Sequence, residues 1–377
     1  MSESRRAGIP PFHVMEVFKR AHARDRVSGD VLHLEVGQPS TPAPTAVRDA
    51  ASRLLIGDRL GYTDALGIGP LRQRIAEHYR ERHGIRLDSE RVAITVGASG
   101  GMVLALLAAF DVGARVGITA PGYAAYRNIV TALGLELVDV RVGPDSRYAP
   151  SPEVLDGVGR LDGLIVASPS NPTGTQLTDD ELEALAEWCR EHRVTLLMDE
   201  IYHGISYVGP APTILSHDSQ SIVLQSFSKY YSMTGWRIGW LVLPDDLVSA
   251  TERLAQNLFI CPPALAQHAA VAAFEATTEL DGNVARYAES RQLLVEALDR
   301  WGLPYAPPDG AFYFWVDVSR LGDSRRLAER WLDDVGVAVT PGVDFDPAEG
   351  DRFVRLSYSE SPDDIAAAID RLDPIIR

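Results

Sequence analysis

From residue 66 to about 245, stretches with helical spacing of apolar residues alternate with short runs that are apolar almost throughout. Leu71, Ile75 and Tyr79 recur one helical turn apart behind Pro70, which suits a first helical position, and the pattern stops at Gly84. The short runs are Arg91–Val96, Arg115–Thr119, Gly163–Ser168, Val194–Asp199, Ser221–Gln225 and Ile238–Val242. Runs of this length, bounded by small and turn-forming residues, predict strands buried on both faces. Ser99–Phe110 is apolar nearly all round and predicts an interior helix, while Thr178-Asp179-Asp180-Glu181 is a capping box for a helix reaching about His192. Such alternation predicts an α/β fold: a large domain, residues 45–280, with a mostly parallel central sheet flanked by helices. After Pro262-Pro263 come two helical segments and a strand-like patch, Ala311–Val318. Residues 281–377 therefore form, with 1–44, an expected smaller α/β domain built from both termini.

Composition narrows the function. With 36 cations against 52 anions the chain carries −16, and no basic run offsets that charge, which argues against nucleic acid and anionic membranes. Any anion site must be local. Cys189 and Cys261 lie far apart and outside any CxxC pair, and the nine histidines show no HExxH spacing. The expectation is no disulfide framework, no metal site and a reducing, cytoplasmic setting. The opening residues carry no apolar segment of signal-peptide length, and the longest apolar run, Met102–Phe110, falls well short of a membrane span.

Chemistry concentrates where predicted strands end. Ser226-Phe227-Ser228-Lys229 follows one strand and Arg237 follows Gly235-Trp236, so hydroxyls, an amine and a guanidinium meet where open α/β sheets bind ligands. An amine there can form a Schiff base with an aldehyde, and a guanidinium with hydroxyls can hold a phosphate. Gly97-Ala98-Ser99-Gly100-Gly101 joins a strand to a helix, where free N–H groups suit an anion. Its spacing is not GxGxxG, and the next strand ends at Thr119-Ala120-Pro121-Gly122 without an acid, which argues against a dinucleotide. Asp199 closes an apolar strand and needs a cation or N–H partner there; a heterocyclic N–H⁺ would serve, with Tyr202 near an adjacent phenolate. Taken singly, each feature has a plainer reading. The Lys–Arg pair reads as a solvated loop, the glycine run as a packing turn and Asp199 as a helix N-cap; Asn171-Pro172-Thr173-Gly174 reads as a turn and Tyr123 as packing.

Together, in this order, the motifs resemble the fold-type I pyridoxal-5′-phosphate (PLP) enzymes, and within them the class I/II aminotransferases of the aspartate aminotransferase superfamily. The resemblance runs from Val36-Gly37-Gln38-Pro39 through Gly61-Tyr62-Thr63 to Val354-Arg355-Leu356-Ser357. It implies PLP as cofactor and transfer of the α-amino group of an L-amino acid to a 2-oxo acid. Lys229 would hold the cofactor covalently and later move a proton, and Asp199 would pair with the pyridine nitrogen. Tyr202 and Asn171 would bond the ring oxygen, and Tyr123 would stack on the ring. Ala98, Ser99, Ser226 and Arg237 would cradle the phosphate, with Tyr62 reaching it from a partner subunit in a homodimer. Arg355, helped by the N–H of Gly37, would clamp the substrate carboxylate.

Some features depart from the family pattern. Asp346 stands where many relatives carry glycine, position 99 is serine, and no arginine sits in a motif for a second carboxylate. A neutral or aromatic donor is therefore expected over aspartate. The same cofactor and fold also serve lyases, decarboxylases and aminocyclopropane-carboxylate-synthase-like enzymes. A non-catalytic ligand-sensing domain is a further alternative, disfavoured by the intact lysine and arginines and by the lack of a DNA-binding extension before residue 30.

Overall fold

The computed structural model describes residues 4–377. Seven strands form the central sheet: β1 (Val92–Thr95), β2 (Arg115–Ala120), β3 (Glu136–Arg141), β4 (Gly163–Ala167), β5 (Thr195–Asp199), β6 (Ile222–Ser226) and β7 (Gly239–Val242). Their spatial order is β1-β7-β6-β5-β4-β2-β3, with β7 antiparallel to both neighbours and the other pairs parallel. Helices cover both faces, so each central strand buries its side chains in two directions. Leu196 and Met198 enter one core cluster and Leu197 the other; Val223 opposes Ile222 and Leu224 in the same way. This double burial is why those strands read as unbroken apolar runs. Strand β3 lies at the sheet edge with much of its surface exposed, so it left no such run in the sequence.

The helices begin and end as local chemistry dictates. Gly84, at φ 70°, ends the helix Gly69–His83. Thr178 opens the helix Asp179–His192: its Oγ1 accepts the Glu181 N–H at 3.2 Å, and Glu181 Oε2 accepts the Thr178 N–H at 2.8 Å. The interior helix Gly97–Ala109 packs closely because Gly101 has no side chain; a Cβ there would meet Leu224 Cδ1 at 2.7 Å.

A second, antiparallel sheet runs in the order Thr340–Pro341, Phe353–Ser357, Tyr313–Asp317, Tyr305–Ala306. Leu32–His33 pairs in parallel with Val337–Ala338, which ties the N-terminal segment to the C-terminal part of the chain. The helix His13–Ser28, which has no early counterpart in the sequence reading, packs in the same region. Among the described residues no helix is long and apolar enough to cross a membrane. Because both halves of the Thr178 capping box are present, Thr178→Ala should cost about 1 kcal/mol. Urea unfolding would register it as a lower midpoint at unchanged slope.

Candidate active site

The parallel strands, together with β1, present their carboxyl ends along one edge of the sheet, and β7 begins there. That edge carries Gly97–Ser99, Ala120–Tyr123, Ala167–Asn171, Asp199–Tyr202 and Ser226–Lys229, with Arg237 just before β7. A cavity of about 240 Å³ opens over it. Gly37, Ala98, Ser99, Tyr123, Asn171, Tyr202, Ser226, Lys229, Arg237 and Arg355 line this one cavity. Asp199 sits at its margin, bonded to the lining residues Ile201 and Tyr126. Tyr62 is the exception. It is 84% exposed and does not line the cavity of its own chain.

At one end lies a cup for an anion. The helix Gly97–Ala109 points its first N–H groups at the cavity, where no preceding turn can satisfy them. Gly97 has φ +66°, and a Cβ there would fall 2.4 Å from Arg237 Nη2, so only glycine lets the guanidinium lie against this turn. Arg237 Nη1 also donates to the Thr234 carbonyl at 2.9 Å. Ser226 Oγ donates to Ser228 Oγ at 2.9 Å and accepts the Ser228 N–H at 3.1 Å, which fixes both hydroxyls.

At the centre are two groups of opposite charge. Asp199 is buried; Oδ1 accepts the Ile201 N–H at 3.0 Å and Oδ2 accepts the Tyr126 hydroxyl. Burial pushes its carboxyl up to about 7 against the pull of the Ile201 N–H and the Lys229 charge. Lys229 Nζ donates to the Gly37 carbonyl at 2.7 Å. Burial, aided by the Arg355 charge, brings this amine down to about 8, so a nucleophilic neutral fraction exists near neutral pH. Glu200, one residue past Asp199, turns elsewhere and anchors a loop through Thr213 Oγ1 and the Ile214 N–H, each 2.9 Å away.

At the other end, Arg355 is 2% exposed. Its Nη1 donates to Asn171 Oδ1 at 3.1 Å, and Nη2 donates to the Glu35 carbonyl and, at 3.4 Å, to Thr340 Oγ1. The rings of Tyr313 and Phe345 pack against the guanidinium, with centroids 4.4 Å and 4.8 Å from Cζ. The Tyr202 and Tyr313 hydroxyls are hydrogen-bonded at 2.8 Å, and burial raises the Tyr202 phenol. Gly37 has to be glycine, because a Cβ would overlap the Tyr313 hydroxyl at 1.6 Å.

Several participants escaped the sequence reading. Tyr126 follows Tyr123 by one turn of the helix Ala124–Ala132, a spacing that could have drawn notice. Tyr313 lay within a stretch read only as a strand. Phe12, Val14 and Met15 form a wall at the start of the first helix and carry no motif.

The residues present suit a phosphorylated pyridine aldehyde: an anion cup, an amine in its nucleophilic range, and a desolvated carboxylate with no cation in hydrogen-bonding contact among the described residues. Without such a cation Asp199 should leave a pH signature. Unfolded, it ionises near about 3.9; in the fold it ionises near about 7. Between these values the native chain keeps a proton that the unfolded chain has lost, so this contribution is full at low pH and lost as pH climbs. Cofactor-free protein should lose stability relative to Asp199→Asn from about pH 4 to about pH 7, then hold a constant difference. Thermal unfolding of the two proteins across that range is the measurement.

The family model for aminotransferases of class I and II matches residues 29–372. The chain is 48% identical over 374 residues to a valine–pyruvate aminotransferase of Mycobacterium tuberculosis, covering 97% of this chain and 96% of that one. It is 30% identical over 382 residues to an aspartate aminotransferase of Thermotoga maritima, covering 100% and 99%. A crystal structure of an aminotransferase from M. tuberculosis superposes with a TM-score of 0.97 at 47% identity, covering 100% of this chain and 99% of the other.

Proposed function

The chain belongs to the class I and II aminotransferases, and from that premise we propose that its cavity holds pyridoxal 5′-phosphate and takes an uncharged amino acid as donor. The enzyme moves an amino group between an amino acid and a 2-oxo acid, and its relatives favour that transfer over lyase or decarboxylase chemistry. The observation that carries the cofactor reading is the placement of buried Lys229 and Asp199 at one cavity beside the Gly97–Ser99 cup. When bound, the cofactor supplies an aldehyde for an amine and a ring that accepts electrons when a bond at the substrate Cα breaks.

The residues have separable tasks. Ala98, Ser99, Ser226 and Arg237 would hold the phosphate; Asp199 would keep the pyridine nitrogen protonated; Tyr202 and Asn171 would bond the ring oxygen, and Tyr123 would lie against the ring. Lys229 Nζ would hold the cofactor through its amine and, when free, would serve as the base for the proton on the substrate Cα. Arg355, with the Gly37 turn, grips the α-carboxylate through its paired N–H groups, which fixes the direction of the Cα–H bond. Residues 45–280 carry the cofactor contacts, and 1–44 with 281–377 carry the carboxylate clamp.

Substrate class follows from what remains. Among the described residues the cations lining the cavity are Lys229, Arg237 and Arg355, each already assigned, and Phe12, Val14, Met15 and Val36 supply apolar wall. A side-chain carboxylate would find no partner there. With the valine–pyruvate relative, this supports a branched aliphatic donor and pyruvate as acceptor. The test is a spectrophotometric screen of PLP-loaded protein against amino acids, with borohydride fixing the cofactor on the peptide that contains Lys229. Valine should outperform aspartate, and Arg355→Lys should weaken every donor alike while cofactor stays bound. Label on another lysine, or aspartate as the best donor, would remove the reading.

The working unit is a homodimer. Tyr62 is exposed, and so are Leu258, Phe259 and Ile260; Gln267 Nε2 donates to both Thr63 Oγ1 and the Pro262 carbonyl at 2.9 Å, and its Oε1 accepts the Ile68 N–H at 2.8 Å, which ties the two segments. A partner copy covering this face receives Tyr62 at its own phosphate cup. Tyr62→Phe should weaken PLP retention by about 1–2 kcal/mol, one hydrogen bond to a charged group; cofactor titration of the variant measures it, and sedimentation should show a dimer. Unpaired Cys189 and Cys261 together with the acidic composition favour a cytoplasmic setting.

A further inference from the structure

The helix His13–Ser28 has no cap of its own, since the residue before it is Phe12. Its first N–H groups are bonded instead from some 330 residues away. Asp344 Oδ1 accepts the N–H of His13 at 3.0 Å, and Oδ2 accepts that of Val14 at 2.7 Å. One buried carboxylate thus takes two of the donors that a helix start leaves open, with its charge at the positive end of the helix dipole.

The residues seated by this cap wall the cavity. Phe12 meets Tyr123 edge-on at 5.9 Å, and Val14 is buried beside Trp315 and Phe345. Met15 lines the cavity yet is 52% exposed, so its position depends on the seat of the helix more than on packing. The residues after Asp344 belong to the same construction. Phe345 packs against the Arg355 guanidinium, and its carbonyl accepts the Gly122 N–H at 3.0 Å. Both oxygens of Asp346 take Arg141 Nη1 at 2.7 Å. Residues 344–346 therefore join the first helix, the arginine clamp and the turn before Tyr123 in one unit.

From this geometry we propose that Asp344 is a positioning residue for substrate selection. By capping His13 and Val14 it sets how closely Phe12, Val14 and Met15 approach the side chain of the amino acid. The proposal rests on the reading that the cavity takes the amino-acid substrate with its carboxylate on Arg355. Without the cap the wall recedes. A branched side chain that reaches the wall then loses contact, whereas the methyl group of alanine ends short of it.

The test compares valine and alanine as donors in PLP-loaded Asp344→Ala and Asp344→Asn. Asp344→Ala should lower kcat/KM for valine about tenfold or more, chiefly through KM, and for alanine by less than about threefold, in line with the selectivity a hydrophobic contact gives. Asp344→Asn keeps one acceptor and should fall between; it carries the comparison if the alanine variant does not fold. Amide exchange over residues 13–17 should quicken in Asp344→Ala while the cofactor absorbance is unchanged, a pattern general destabilisation would not produce. Equal losses for both donors, or unchanged exchange, overturn the proposal. Arg355→Lys in the same assay separates the two readings. If that variant weakens both donors while Asp344→Ala leaves the valine-to-alanine ratio unmoved, the Asp344 proposal alone falls. If it affects neither donor, the placement of the substrate falls and the Asp344 proposal with it.

Discussion

Arg355 is a buried cation with no carboxylate within salt-bridge reach among the described residues, and much of the molecule is arranged around that fact. Removing a charge from water costs several kcal/mol unless it is paired or well bonded. Here the compensation comes from three parts of the chain: the Glu35 carbonyl from the N-terminal segment, Asn171 from the turn after β4, and Thr340 from the small sheet. The rings of Tyr313 and Phe345 close over the guanidinium, a geometry worth more in a dry site than in water. A guanidinium bonded only to neutral groups is chemically suited to a carboxylate. The clamp is thus also the joint at which the two termini meet the central sheet.

Desolvation acts on the other charged groups in opposite directions. Asp199 is raised and Lys229 lowered toward neutrality chiefly by burial at the end of a sheet whose faces are both covered, with the Arg355 charge also lowering Lys229. A carboxylate disposed to keep its proton and an amine disposed to lose one would each be stabilised by a ligand bringing a ring cation to the first and an aldehyde to the second. The anion cup needs no such tuning. It relies on backbone N–H groups and on a glycine that lets Arg237 approach.

Legibility in the sequence followed the physics of each part. Strands β4, β5 and β6 stood out because double burial leaves unbroken apolar runs; β3, exposed at the edge, did not. Lys229, Asp199, Asn171 and Arg237 were legible because each lies at or beside a strand end with turn-forming neighbours. Asp199 and Glu200 are adjacent acids, and only the fold shows that one meets the cavity while the other anchors residues 213–214. Tyr126, Tyr313 and Asp344 left no motif, because what they do depends on partners far away in the chain.

The sequence by itself determined the alternation of elements, the buried runs, the helix caps and the order of the polar residues at strand ends. These properties depend on near neighbours, through side-chain periodicity and local hydrogen bonding, so one dimension suffices to express them. Only the tertiary structure decided which of those residues face one cavity, which aromatic rings cover Arg355, and that a carboxylate at 344 caps a helix starting at 13. Such contacts join residues hundreds of positions apart, and their strength comes from burial that exists only once the chain has closed over them.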